Sequence, residues 1–362
     1  LSDQRNELGV LHTQASAGSY ATTVLGRFVT QYTHTAEGEL LIVDPTGRSH
    51  SVTELAPGVV QRRFSSGARE VAQYDLEGRC LLKTLDRRKN DGHTWIRSFH
   101  YSGEGDLLEQ RDNERGVTRY AYDKSHRLQQ VVHPDARVDD YEYDAADNLL
   151  RLPGDGPERS TQLVLGSGNR LRHANAQGFH YDDRDHVARR ERPYGTVHYA
   201  RDALDQLTEI RAPDYQFSAK YDPLGRRTEK TVNRSTTRYY WDSDRLIAEV
   251  YPSGAVRIYV YEHALAMMPI MFVQYASCDA ALESGRRFYV IANHIGAVEL
   301  VLNDQGEPAW QAQLDPYGLA RIVVGKDFPQ ALRFPGHFYD AETELHYNRF
   351  RYYDPSIGRY LE

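Results

Sequence analysis

A tyrosine–aspartate unit that returns mostly every 20 to 22 residues restricts this chain's folding more than any other feature. It appears as "YDLEGRCL" (Tyr74, Asp75), "YSGEGDLL" (Tyr101), "YDKSHRLQ" (Tyr122, Asp123) and "YDAADNLL" (Tyr143, Asp144). Later copies are "YDDRDHVA" (Tyr181, Asp182) and "YDPLGRRT" (Tyr221, Asp222, Gly225). Degenerate copies stand between them at Leu165, Arg201 and Trp241. A fixed period of this length is the mark of a repeat architecture.

Each unit reads as one β-hairpin. Alternation precedes it, as in "TRYAYD" and "DDYEYD", which places Tyr120 with Tyr122 and Tyr141 with Tyr143 on one strand face. The aspartate can fold its carboxylate onto the turn's N–H groups, and a Gly, Asn or Asp shortly after tolerates positive φ. In "YDLEGRC" and "YDPLGRR" the Asp and Arg flank the turn and can pair across it. Isolated hairpins are unstable, so they are expected to add edge to edge. The expected fold is all-β, a continuous curled sheet forming a spiral, hollow barrel or shell.

Composition narrows the function. The balance of 44 Lys+Arg against 51 Asp+Glu gives a net charge of −7, which argues against nucleic acid as a partner. The most apolar stretch, "ALAMMPIMFV" from Ala264 to Val273, is about half the length needed to span a bilayer and contains Pro269. It reads as a buried strand or core plug. Ser277 to Gly285 is the best candidate for a helix, and residues 151–160 read as a long hairpin loop. Cys80 and Cys278 can pair or remain free. A chain that starts at Leu1 reads as a piece of something longer.

The repeat unit resembles the YD repeat of the Rhs family. "YVIANHIGAVELVLNDQGEPAWQAQLDPYG" (Tyr289 to Gly318) and "RFPGHFYDAETELHYNRFRYYDPSIGRYL" (Arg333 to Leu361) resemble the Rhs-associated core that follows such repeats. The second carries the signature positions Gly336, Tyr339, Asp340, Tyr347, Arg349, Arg351, Tyr352, Asp354, Gly358, Arg359 and Tyr360. The family has Gly where Glu344 stands. The implied division is divergent repeats over residues 1–72, a YD-repeat shell over 73–262, an apolar insertion over 263–288, and the core over 289–362.

The resemblance implies a structural shell segment of a bacterial toxin, plugged by its core and enclosing a C-terminal toxin domain absent from these residues. Secretion machinery or a chaperone would be further partners, the type VI system or insecticidal toxin complexes the route. The protein would reside in the bacterial cytoplasm before export and then be secreted or delivered into a target cell. Self-association through open sheet edges is also expected. Full-length family members cut themselves with aspartates of a "DPxGL" motif expected beyond Leu361, so no catalytic residue is expected here.

Other motifs have plainer readings. "LDPYGL" at Leu314 shares its letters with that cleavage motif, but "DPTG" (Asp44), "DPLG" (Asp222) and "DPSIG" (Asp354) recur too, so Asp315 is expected in a turn. His337 and His346 flank Asp340, Glu342 and Glu344 without metal-ligand spacing, so neither metal nor cofactor is expected. "GSGNRL" at Gly166 lacks a P-loop lysine. The alternative function is an extracellular module that binds glycans or a receptor through exposed tyrosines.

Overall fold

The computed structural model describes residues 3–5, 9–16, 18–87, 94–154 and 160–361. The protein is 56% strand and 2% helix. Its strands follow chain order without a crossover, each antiparallel to the last. Among the described residues, fourteen strands from Asp3–Arg5 to Val138–Asp140 form a first sheet, eighteen from Glu142–Tyr143 to Ala320–Val324 a second, and four from Phe338–Asp340 to Arg359–Tyr360 a third. The sheets are curled but are not closed barrels. The break between the first two falls at Tyr141, inside the repeat block.

The hairpin turns share one chemistry. At Asp75, Asp123, Asp144, Asp182 and Asp222, Oδ1 accepts backbone N–H groups from two and four residues on. The position three residues on takes positive φ: Gly78, His126, Asp147, Asp185 and Gly225. Oδ2 accepts from Arg79, Arg127 and Arg226, or from the Asn148 amide. Arg127 and Arg226 also donate to the next turn's carbonyls, at Asp144 and Ser243, both at 2.7 Å. The Asp123 and Asp222 turns therefore each tie themselves and the turn that follows.

The tyrosine of each unit marks a β-bulge. Register shifts by one residue at Tyr74, Tyr101, Tyr122, Tyr143, Tyr181 and Tyr221. The extra residue sits in the strand after the turn and adds local twist, which curls a long sheet. The tyrosines' own strand keeps its alternation, with Ala121 exposed between the half-buried Tyr120 and Tyr122. The tyrosine ring then spans to the preceding hairpin. Tyr101 donates to the Cys80 carbonyl and Tyr221 to that of Leu207, while Tyr122 and Tyr181 hydrogen-bond the backbone at Leu107 and Leu171. All four partners restart a strand.

The first sheet packs on one face of the second. Val24, Phe28 and Ile42 meet Val256, Ile258, Met271 and Tyr289 in a common core. Strands Val256–Val260 and Val298–Leu302 are therefore buried at every residue, the charged Arg257 and Glu299 included. Arg97 bridges the layers, bonding Asp112 at 2.8 Å and Glu299 at 2.6 Å while its guanidinium covers the Trp95 ring.

Three expectations need revision or qualification. The apolar stretch divides: Ile270 to Val273 is buried, but Leu265 and Met267 lie exposed in the connection before strand Met271–Tyr275. Ser277 to Gly285 forms only a 3₁₀ turn over Leu282–Ser284, too short for a helix with its own buried face. The predicted loop at 151–160 is flanked by strands Leu149–Pro153 and Ser160–Leu165, which pair as a hairpin, while residues 155–159 lie outside the described residues. Cys80 and Cys278 are free thiols.

Removing one turn carboxylate tests this scheme. In Asp222→Ala, two backbone N–H groups and the Arg226 guanidinium lose their acceptor in a largely buried turn. The expected cost is about 1–3 kcal/mol in urea unfolding; an unchanged midpoint would mean the carboxylate is dispensable.

Candidate functional site: the plug seat

The four short strands after Phe338 form a plug that meets the second sheet at its beginning, middle and end. At the beginning, Arg359 donates to Asn148 and to the Asn169 carbonyl, and Gly358 lies against Leu149 and Tyr317. Gly358 has φ +64, and an added Cβ would come within 2.9 Å of Tyr317 and 3.1 Å of Leu149. At the end, Tyr353 donates to the Tyr317 carbonyl at 2.8 Å. Tyr143 and Tyr317 share a hydroxyl–hydroxyl bond of 2.7 Å, joining the two ends of the curl through side chains.

The middle of the seat is ionic. Arg227, 1% exposed, makes a bidentate pair with Asp340 at 2.5 and 2.9 Å. Lys230 adds a bond to Asp340 at 2.9 Å and another to Glu342 at 2.7 Å. The Arg227 guanidinium lies over the rings of Tyr239 and Tyr347. Tyr347 accepts the Arg227 backbone N–H, and Tyr352 shares a hydroxyl bond with Tyr221. Burial opposes ionisation of Asp340, yet the two cations outweigh it and hold the carboxyl below the usual carboxylate range. A second buried pair, Arg190–Asp354 at 2.6 Å, repeats the arrangement four strands away.

Local structure aims these groups. Asp340 closes strand Phe338–Asp340, and its carbonyl accepts from Thr343 and Glu344 in a tight turn. Glu344 occupies that turn at φ +62, so the tight turn forms despite the absence of glycine. Asp354 caps its own turn through Ser356. Arg349 reaches the Leu224 carbonyl and Asp244, and Arg351 lies 3.8 Å from the centre of the Tyr360 ring. Gly336, at φ +77, approaches Met267, and Tyr339 lies under Arg333. Leu361 is buried, and its carbonyl accepts the Val187 N–H at 3.0 Å.

Arg227 was the missed residue, and the repeat held its signal. The residue paired opposite each unit's tyrosine is Cys80, Leu107, Leu128, Leu149 or Val187, but opposite Tyr221 it is Arg227. A charge at a position otherwise apolar demands a buried partner of opposite sign.

Asp315 sits in a turn, its Oδ1 accepting from Tyr317 and Leu319. Unlike the repeat turns it has Leu319 where an Arg or Asn would pair. Burial, with a smaller contribution from Asp139, pushes its carboxyl up to about 7. His337 and His346 stack edge to face with each other and with Tyr353 and Tyr339, not against the plug carboxylates. Among the described residues no three His, Cys, Asp or Glu side chains are placed to hold a metal. Among the described residues no helix is long and apolar enough to cross a membrane.

The arrangement defines a class: a hairpin-repeat sheet curled about a C-terminal plug that is seated by buried ion pairs. Residues 69–362 match the Teneurin YD-shell family, and the chain belongs to it. It is 33% identical over 301 residues to Double-stranded DNA deaminase toxin A of Burkholderia cenocepacia, covering 75% of this chain and 21% of that protein. It is 28% identical over 330 residues to Toxin protein Tse5 of Pseudomonas aeruginosa, covering 74% and 25%, and 28% identical over 348 residues to Probable deoxyribonuclease RhsA of Dickeya dadantii, covering 91% and 23%. The chain thus spans a quarter or less of these relatives. Among solved structures, the Photorhabdus luminescens Tc holotoxin pore aligns with TM-score 0.45 and 15% identity, over 98% of this chain and 25% of that one. A TcdB2–TccC3 crystal structure aligns with TM-score 0.44 and 15% identity, over 98% and 26%.

Two substitutions probe the seat. Asp340→Ala leaves Arg227 buried without its counter-ion, and is expected to cost about 3–5 kcal/mol in urea unfolding and to open the plug to limited proteolysis. A loss under 1 kcal/mol would show that the pair does not hold the plug. Asp315 binds its proton more tightly folded than unfolded, so its ionisation costs stability as pH rises from the ordinary carboxylate value towards 7. Asp315→Asn should therefore stabilise the protein at pH 8, by roughly 1–2 kcal/mol, and change little at pH 4. Calorimetry at the two pH values checks the sign.

Proposed function

We propose that this chain is part of a shell that encapsulates its own C-terminal toxin domain, the plug closing the curl over the cargo. The observation that carries this reading is the plug seat: Arg227–Asp340 and Arg190–Asp354 hold a compact third sheet against the middle of the second, while Arg359 and Tyr353 reach its beginning and end. Toxin names among the relatives support it, and those activities are assigned here to a cargo domain rather than to the repeats. We assign the shell to residues 73–262, the insertion to 263–288 and the core to 289–362, with the signature residues as the plug's anchors. Self-cleavage would use acids downstream of Leu361, with Asp315 kept for its turn. Storage in the bacterial cytoplasm, export aided by secretion machinery or a chaperone, and a role in bacterial competition complete the proposal.

The glycan-binding alternative has less support. It needs exposed tyrosine faces, whereas the repeat tyrosines are half-buried and bonded to neighbouring hairpins; among the described tyrosines Tyr194 is the exposed one. The test is to extend the chain with its native downstream sequence and expose it to an external protease. The shell reading expects that segment to survive as a fragment held by the shell, and protection to fall in Asp340→Ala. Digestion as fast as that of the free segment would overturn it.

A further inference from the structure

A cavity of about 320 Å³ lies where the hairpin of strands Leu149–Pro153 and Ser160–Leu165, the last strand of the second sheet and the plug converge. Pro153 and Thr161 come from the hairpin, Ile322 from strand Ala320–Val324, and Arg333, Tyr339 and His346 from the plug side. Arg333 is 3% exposed, and among the described residues no carboxylate lies within ion-pair distance of it. Its Nη1 donates to the Gln330 and Leu332 carbonyls at 2.9 Å, and its guanidinium lies over the Tyr339 ring at 4.4 Å. These contacts orient the group without neutralising it. This contrasts with Arg97, Arg190 and Arg227, each of which meets a buried carboxylate.

His346 lines the same cavity, is 1% exposed, and its Nδ1 has no hydrogen-bond partner. Burial, then the Arg333 charge, pushes its pKa down to about 3, so the ring is neutral at physiological pH and able to donate from either nitrogen. Burial likewise pushes Arg333 down to about 10, which leaves it charged at neutral pH. A desolvated cation without a counter-ion is a costly feature to bury, and an anion is what removes the cost. Glu344 also lines the cavity and is exposed, so it places one negative charge on the solvent side.

We propose that this cavity is an oxyanion site, in which the Arg333 guanidinium receives a carboxylate or phosphate group and neutral His346 supplies a second hydrogen bond. A planar guanidinium matches either group in a paired fork, and low surrounding polarity strengthens the contact. The proposal does not depend on the shell reading.

The test is thermal unfolding of the chain in rising sodium phosphate and, separately, sodium acetate, at pH 7.5 and constant ionic strength set with chloride. The wild type is expected to show a saturable rise in melting temperature with at least one anion, because a ligand of the folded state stabilises it by mass action. Arg333→Gln should abolish the rise. Glu344→Gln, at an exposed position, should lower the half-saturation concentration roughly threefold to tenfold by removing the like charge. A response to phosphate alone assigns a phosphate-bearing ligand, and a response to acetate alone a carboxylate; either supports the site. A saturable response to neither anion, or an equal response in Arg333→Gln, overturns it. Should Arg333→Gln fail to fold, an unchanged half-saturation in Glu344→Gln overturns it instead.

Discussion

The pair between Arg227 and Asp340 is the contact on which the plug's position depends. Its cation comes from the repeat sheet and its anion from the third sheet, 113 residues later. Neither tolerates burial alone, so the two surfaces must meet in the one register that joins them. A buried ion pair adds little net stability over well-packed apolar residues, but separating it is expensive. Its contribution is therefore to select one seating of the plug from the many that a tyrosine-rich apolar surface would accept. Lys230, Arg190 and Asp354 extend the same logic, and the tyrosine hydroxyls around Arg227 satisfy groups that would otherwise lose their hydrogen bonds to water.

The repeat sheet is built differently. Each turn folds on its own aspartate, and each tyrosine marks a bulge, so twist is added once per hairpin. The turn arginines then link hairpin to hairpin along one rim. Such a structure grows by nearest-neighbour contacts, with stability close to a sum over hairpins. The plug and the packing of the first sheet on the second break this one-dimensional pattern, and the seat and the cavity at Arg333 both lie where they do so.

Much of the hairpin fold was legible. Asp123, Asp144 and Asp222 announced their turns because their hydrogen bonds reach only two to four residues along the chain. His126 shows the limit of that reading: it takes a positive φ that composition alone would have given to Gly, Asn or Asp. The apolar stretch before Tyr275 was only half legible, since nothing local distinguishes exposed Leu265 from buried Met271. The plug's signature positions were visible as a pattern, but which partner each one grips was not.

The sequence by itself determined an all-β repeat, the place of its turns and the residues that close them, because those choices are settled by backbone geometry within a few residues. Only the tertiary structure decided that Asp340 belongs to Arg227 and Asp354 to Arg190, and that Arg333 meets no acid among the described residues. Those outcomes depend on how far the sheet curls before its ends approach through Tyr143 and Tyr317. Curl is the sum of many small twists, one per bulge, and no short window of sequence carries that sum.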